Sequence, residues 1–109
     1  MIKSDSSPQE EYRQSFLRHL ANRLEAIQQR IHRFRFEGWE FGGMSLLHDE
    51  VQRLAGSSGR YNLIEPSHRL MTLEQMLGEH IARKRLPDPQ QGDRLLAQLA
   101  SVTGSLAPQ

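Results

Sequence analysis

The 109 residues include five histidines and no cysteine, and those two counts already narrow the available chemistry. A thiol nucleophile, a disulfide scaffold and a cysteine-rich zinc site are excluded. His19, His32, His48, His68 and His80 show neither a His-x-x-x-His nor a His-x-x-Glu-His spacing, so no metal site and no cofactor are expected. The paired Ser57-Ser58 has no base beside it in sequence, which gives a hydrolase no support. The most specific segment is Leu46-Leu47-His48-Asp49-Glu50-Val51-Gln52-Arg53-Leu54-Ala55-Gly56-Ser57-Ser58-Gly59-Arg60-Tyr61-Asn62. Gly56 stands four residues after Gln52 and eight after His48, which stacks the three on one helix face. Glycine in a helix costs about 1 kcal/mol relative to alanine, so this one is expected to have a use. Helical side chains lean toward the N-terminus, and the bare surface at Gly56 therefore opens room beside Gln52 for a partner. Arg53 and Arg60 flank the segment and suit charge-assisted contacts to carboxylates or phosphates. The competing reading makes Gly56 a close-packing or C-terminal helix glycine, with Ser57-Ser58 ending the helix through local backbone bonds.

The elements that must carry this segment follow from composition and periodicity. A chain of 109 residues with 37% hydrophobic content supports one domain with a modest core. Its 14 basic and 13 acidic side chains give no bulk attraction to nucleic acid or acidic membranes, although the arginine-rich surface suits local carboxylate or phosphate contacts. Arg23, Arg30, Arg33 and Arg35 form a basic strip, but Phe34 and Phe36 beside it read as core rather than as base-stacking platforms, so no nucleic-acid partner is expected. The N-terminal Met-Ile-Lys-Ser-Asp-Ser-Ser-Pro has no signal-peptide apolar stretch, and no run of about 18 apolar residues occurs, so a cytoplasmic protein without a membrane partner is expected.

A flexible polar leader, 1–7, precedes a helix capped by Ser7 with Pro8 in its first turn. Phe16, Leu20, Leu24, Ile27, Ile31 and Phe34 then form one apolar stripe. Gly38, Gly42 and Gly43 break the pattern, with Trp39 and Phe41 capping one end of the fold. A second helix is predicted to start near Ser45, to bury Leu47, Val51 and Leu54, and to stop around Gly56–Gly59. A third, from about Leu63 to Arg85, carries Pro66, Leu70, Leu73, Leu77 and Ile81, with Met71 and Met76 on the stripe or its margin. Asp88 as N-cap and Pro89 at the first position open a fourth, with Leu95, Leu99, Val102 and Leu106 inward, and 107–109 form a frayed tail. No period-two alternation competes, and the expected fold is an all-α, antiparallel up-and-down four-helix bundle over 8–106.

The segment Gln52-Arg53-Leu54-Ala55-Gly56-Ser57, set between a long first helix with its Gly38-Trp39 connection and the turn at Tyr61-Asn62, resembles the histidine phosphotransfer (HPt) domain. That family's pattern is His-x-Leu-Lys/Ala-Gly-Ser, and the resemblance spans roughly residues 15–105, closest to N-terminal HPt modules of diguanylate cyclase response regulators. The family usually has glycine at the position of Asn62, and asparagine also tolerates a left-handed backbone. Gln52 stands where the resemblance places the phosphorylated histidine. A carboxamide nitrogen is conjugated and not nucleophilic, so phosphotransfer is not expected and no residue is assigned a catalytic role.

The resemblance implies a bacterial two-component signalling module, not an enzyme. Its partner would be the receiver domain of a response regulator, on another chain or the same polypeptide, with a histidine kinase as a second candidate. The expected contact residues are His48, Gln52, Arg53, Gly56 and Arg60. Two alternatives stand beside this: an active phosphotransfer protein that uses His48, or whose native histidine was replaced by Gln52; and a structural or oligomerisation bundle.

Overall fold

The computed structural model describes residues 8–106, so the leader 1–7 with the Ser7 cap and the tail 107–109 lie outside the described residues. Four helices account for it: α1 (Pro8–Glu37), α2 (Phe41–Arg60), α3 (Ile64–Arg83) and α4 (Pro89–Gly104), with no strand among the described residues. They pack around one shared core as a four-helix bundle 60 × 22 × 21 Å in extent. Leu20, Leu24, Ile27 and Ile31 of α1, Met44, Leu47, Val51, Leu54 and Ala55 of α2, Leu70, Leu73 and Leu77 of α3 and Leu95, Leu99 and Val102 of α4 form that core. Burying such side chains contributes about 1.5–3 kcal/mol each against a comparable entropy cost of ordering the chain. No helix among the described residues is long and apolar enough to cross a membrane.

The predicted stripes are the buried ones, with Phe16, Phe34, Ile81 and Leu106 forming a half-buried margin. Met71 and Phe36, the latter read as core, are instead exposed, whereas Met76 and Phe34 lie at the margin. Met44, Ala55 and Leu63 join the core although periodicity did not select them. The largest difference is α2, which begins four residues before Ser45 and continues to Arg60, through all of Gly56–Gly59. Glu40 is its N-cap, without a side-chain cap bond, and the Glu40 carbonyl accepts from the Met44 N–H at 3.0 Å. At the far end Ala55 and Ser58 are buried, and the Tyr61 and Leu63 N–H groups bond back to Ser57 and Ser58 carbonyls. This burial and these bonds outweigh the weak helix propensity of Gly56, Ser57, Ser58 and Gly59.

Gly43 shows what the glycine-rich start accomplishes. A Cβ there would lie 2.5 Å from Phe34 Cζ, and the Phe34 ring is stacked on Trp39 with centroids 5.0 Å apart. Trp39 thus closes that end as expected, while Phe41 is more exposed. Gly42 faces open space. Gly43→Ala is therefore expected to lower stability by about 1–2 kcal/mol as Phe34 is pushed off Trp39, whereas Gly42→Ala should gain up to about 1 kcal/mol from propensity alone. Urea unfolding of the two variants checks the opposite signs.

Asp88 caps α4 as predicted. Its carboxylate accepts from the Gln91 N–H at 2.7 Å while its own N–H donates to Gln91 Oε1 at 2.9 Å, a reciprocal capping box with Pro89 in the first turn. Asn62 adopts φ +66°, the left-handed backbone anticipated for it. Lys84 is a second left-handed residue, φ +56°, and ends α3 two residues earlier than the apolar stripe suggested.

Candidate functional site

Each fourth residue of an α-helix advances about 40° beyond a full turn. His48, Gln52, Gly56 and Arg60 consequently form a strip that starts beside α3 and swings into solvent along α2. His48 is the half-buried end: its side chain is 25% exposed, with Nε2 3.8 Å from Glu74 Oε2 on α3 and Nδ1 3.7 Å from Asp49 Oδ1. The ring covers Gly78, where a Cβ would come within 3.4 Å of Nε2. Gln52 and Arg53 are exposed, and their side chains make no hydrogen bond or ion pair among the described residues. Gly56 is exposed too, and a Cβ built on it meets nothing within 4 Å.

The five expected contact residues share the outer side of α2 but do not converge on one pocket. Arg53 turns toward α1, where it lines a groove with Phe16, His19, Arg23, Leu54 and Ser57. Arg60, at the end of the helix, donates to Ser57 Oγ at 3.2 Å and borders a depression formed with Tyr12, Arg13 and Asn62. His68 lies exposed on α3, and its side chain makes no hydrogen bond or ion pair among the described residues. Among the described residues no group of three or more His, Asp or Glu side chains is arranged to hold a metal ion.

The small residues of the Ala55–Gly59 segment divide by role. Ala55 and Ser58 face the core, and Ser67 Oγ of α3 donates to the Ala55 carbonyl at 2.9 Å. A Cβ on Gly59 would touch Ser67 Oγ at 3.5 Å. Ser58 Oγ is buried with no hydrogen-bond partner. All four residues flanking Gly56 in this segment thus have a packing neighbour or a bond, whereas Gly56 has none.

Glu50 is the residue that sequence reasoning missed. Its carboxylate, 13% exposed, accepts from Arg23 Nε at 2.6 Å and Arg30 Nη1 at 2.8 Å, which ties α2 to α1. Burial pushes this carboxyl up, but the hydrogen bond and charge of Arg23, followed by the charge and bond of Arg30, outweigh it and hold it below its ordinary value. The bond from Glu50 in turn raises the Arg23 guanidinium. The supposed basic strip of α1 is therefore largely spent, because Arg35 also pairs with Asp93 of α4 at 2.7 Å. Arg23 and Arg30 stand seven residues apart, two turns on one face, and that spacing was the available signal.

The site is thus an exposed, glycine-notched strip on α2, with free polar and cationic groups at Gln52 and Arg53 and an imidazole held between two carboxylates. No protein-family model, curated protein or solved structure matches the chain.

Proposed function

We propose that this chain is an HPt-like signalling module of a bacterial two-component phosphorelay, an antiparallel up-and-down bundle that docks a receiver domain through α2 and does not itself carry phosphate. Three pairings support the topology. Phe16, early in α1, stacks on Tyr61 just past α2 at 4.7 Å. Gly43, early in α2, abuts Phe34 late in α1. Arg69, early in α3, donates to the Ser101 carbonyl late in α4 and accepts at its own carbonyl from Gln98.

The observation that carries the docking reading is Gly56. A glycine inside a helix, exposed and without a neighbour, costs the fold about 1 kcal/mol and returns no packing. Its absent side chain leaves a notch between Gln52 and Arg60 into which a partner's surface can settle. Gln52 offers hydrogen bonds there but no nucleophile. His48 is a poor substitute acceptor, since a phosphoryl group on its ring would stand close to Asp49 and Glu74. Like unit charges 4 Å apart repel by about 4 kcal/mol at an effective dielectric constant of about 20.

The test is Gly56→Leu titrated calorimetrically against receiver domains purified from the source organism. Helix content should be unchanged and affinity for the cognate receiver should fall by about tenfold or more, since an interface anchor of about 1.4 kcal/mol or more is lost. Gly104→Leu, placed at an equally open position on α4, should bind as the parent does. Equal binding by all three proteins would move the contact off α2, and no binding to any receiver would favour a structural role.

A further inference from the structure

Away from that strip, the end of α3 and the start of α4 enclose a cleft of about 200 Å³ bordered by Arg83, Arg85 and Arg94. None of these guanidinia makes an ion pair or side-chain hydrogen bond among the described residues, whereas Arg23, Arg30, Arg35 and Arg69 are all paired with carboxylates. Arg18, Arg33 and Arg53 are the other arginines without such a partner, and they are scattered. Three cations gathered in one concavity, none of them ion-paired and with the single carboxylate of Glu79 on the rim, leave a net positive charge, and an anion between them relieves their repulsion.

The backbone builds this gathering. In a continuous helix Arg83 and Arg85 would point about 200° apart. The left-handed turn at Lys84 folds the chain back instead, with the Arg85 N–H bonded to the His80 carbonyl at 3.0 Å. His80 Nδ1 lies 2.9 Å from the Arg85 carbonyl, which can only accept, so Nδ1 carries the proton and the turn is clamped from both sides. Across the cleft, Gln91 has its Oε1 committed to the Asp88 N–H, which leaves its amide nitrogen as a donor. Glu79 is the one carboxylate on the rim, and Met76 supplies an apolar wall.

We propose that this cleft binds a phosphoryl group carried by a small ligand. A tetrahedral phosphate presents oxygens in several directions and accepts forks from three guanidinia, while a planar carboxylate is saturated by one or two. The volume is below the roughly 300–1,000 Å³ of drug-sized pockets and fits a phosphate with a few attached atoms. A nucleic-acid strand would need a continuing basic track, which the pairing of Arg23, Arg30 and Arg35 with acids denies it.

The full chain is titrated with inorganic phosphate and with glycerol 3-phosphate at constant ionic strength, followed by NMR of the arginine Nε–H and glutamine amide groups. Saturable shifts confined to Arg83, Arg85, Arg94 and Gln91 are expected. Arg83→Gln and Arg94→Gln, both at exposed positions, should each weaken binding by about tenfold, Glu79→Gln should tighten it, and Arg18→Gln should leave it unchanged. Tighter binding of glycerol 3-phosphate assigns the remaining space to an organic moiety, and equal binding assigns the site to free phosphate. Shifts that never saturate, that appear equally on the α1 arginines, or that survive both arginine substitutions would overturn the proposal.

Discussion

On the docking function proposed above, Gln52→His is expected to let the chain accept phosphate from a phosphorylated receiver, which the parent chain is expected not to do. The side chain at position 52 is exposed, forms no hydrogen bond among the described residues, and lies one turn from the Gly56 notch. An imidazole there is free to present a ring nitrogen to a docked aspartyl phosphate. Its lone pair attacks phosphorus, the bond from phosphorus to the aspartate oxygen breaks, and the carboxylate departs with the electron pair, leaving a phosphoramidate on the histidine. Arg53, adjacent and unpaired, can offer a charge-assisted bond to the transferred group. The measurement is transfer of radiolabelled phosphate followed by acid treatment, which releases phosphate from histidine. The parent chain and His48→Ala should remain unlabelled, and Gln52→His should label with or without His48. Labelling of the parent that disappears in His48→Ala would assign the acceptor to His48 and remove the premise of a non-transferring module.

The largest expected loss of stability from a single polar side chain lies at Glu50. Glu50→Gln leaves the Arg23 and Arg30 guanidinia, 39% and 30% exposed, without the carboxylate that both now grip. Breaking a fully buried pair costs about 3–5 kcal/mol, and partial solvation of the arginines screens this one, so a loss of about 1–3 kcal/mol is expected. The acid dependence has a definite sign. The folded carboxyl titrates below its ordinary value of 4.5, so its contribution is fully present above that pH and is lost as pH falls through the folded value. Stability of the parent should therefore drop more steeply below about pH 4.5 than that of Glu50→Gln, and the two curves should converge in acid. Denaturant midpoints measured between neutral and acid pH decide it, and parallel curves would refute the role assigned to the network.

Where apolar periodicity governs, the sequence was legible. The four stripes are the buried stripes, and Asp88-Pro89 marks the start of α4 because its cap is a local bond pattern. Asn62 could be read as left-handed because few residues other than glycine tolerate that backbone. The ends of α2 were hidden for the opposite reason: Gly42, Gly43, Gly56 and Gly59 weaken a helix locally, and only contacts with Phe34 and Ser67 in other helices hold it through both ends. Of the candidate site, the alignment of His48, Gln52 and Gly56 was accessible from spacing alone. The Glu74 carboxylate beside His48 and the capture of the α1 arginines by Glu50 were not, since each depends on a neighbour in a different helix.

The salt bridge between Arg35 and Asp93 bears on how the molecule assembles. It joins the first helix to the last across more than half the chain, while α2 with α3 and α3 with α4 are sequence neighbours linked by short turns. Closing a longer loop costs more chain entropy before any contact rewards it. Helices adjacent in sequence, α1 and α2 included, can therefore find one another through local encounters, and closure of α1 onto α4 is the step expected to set the folding rate.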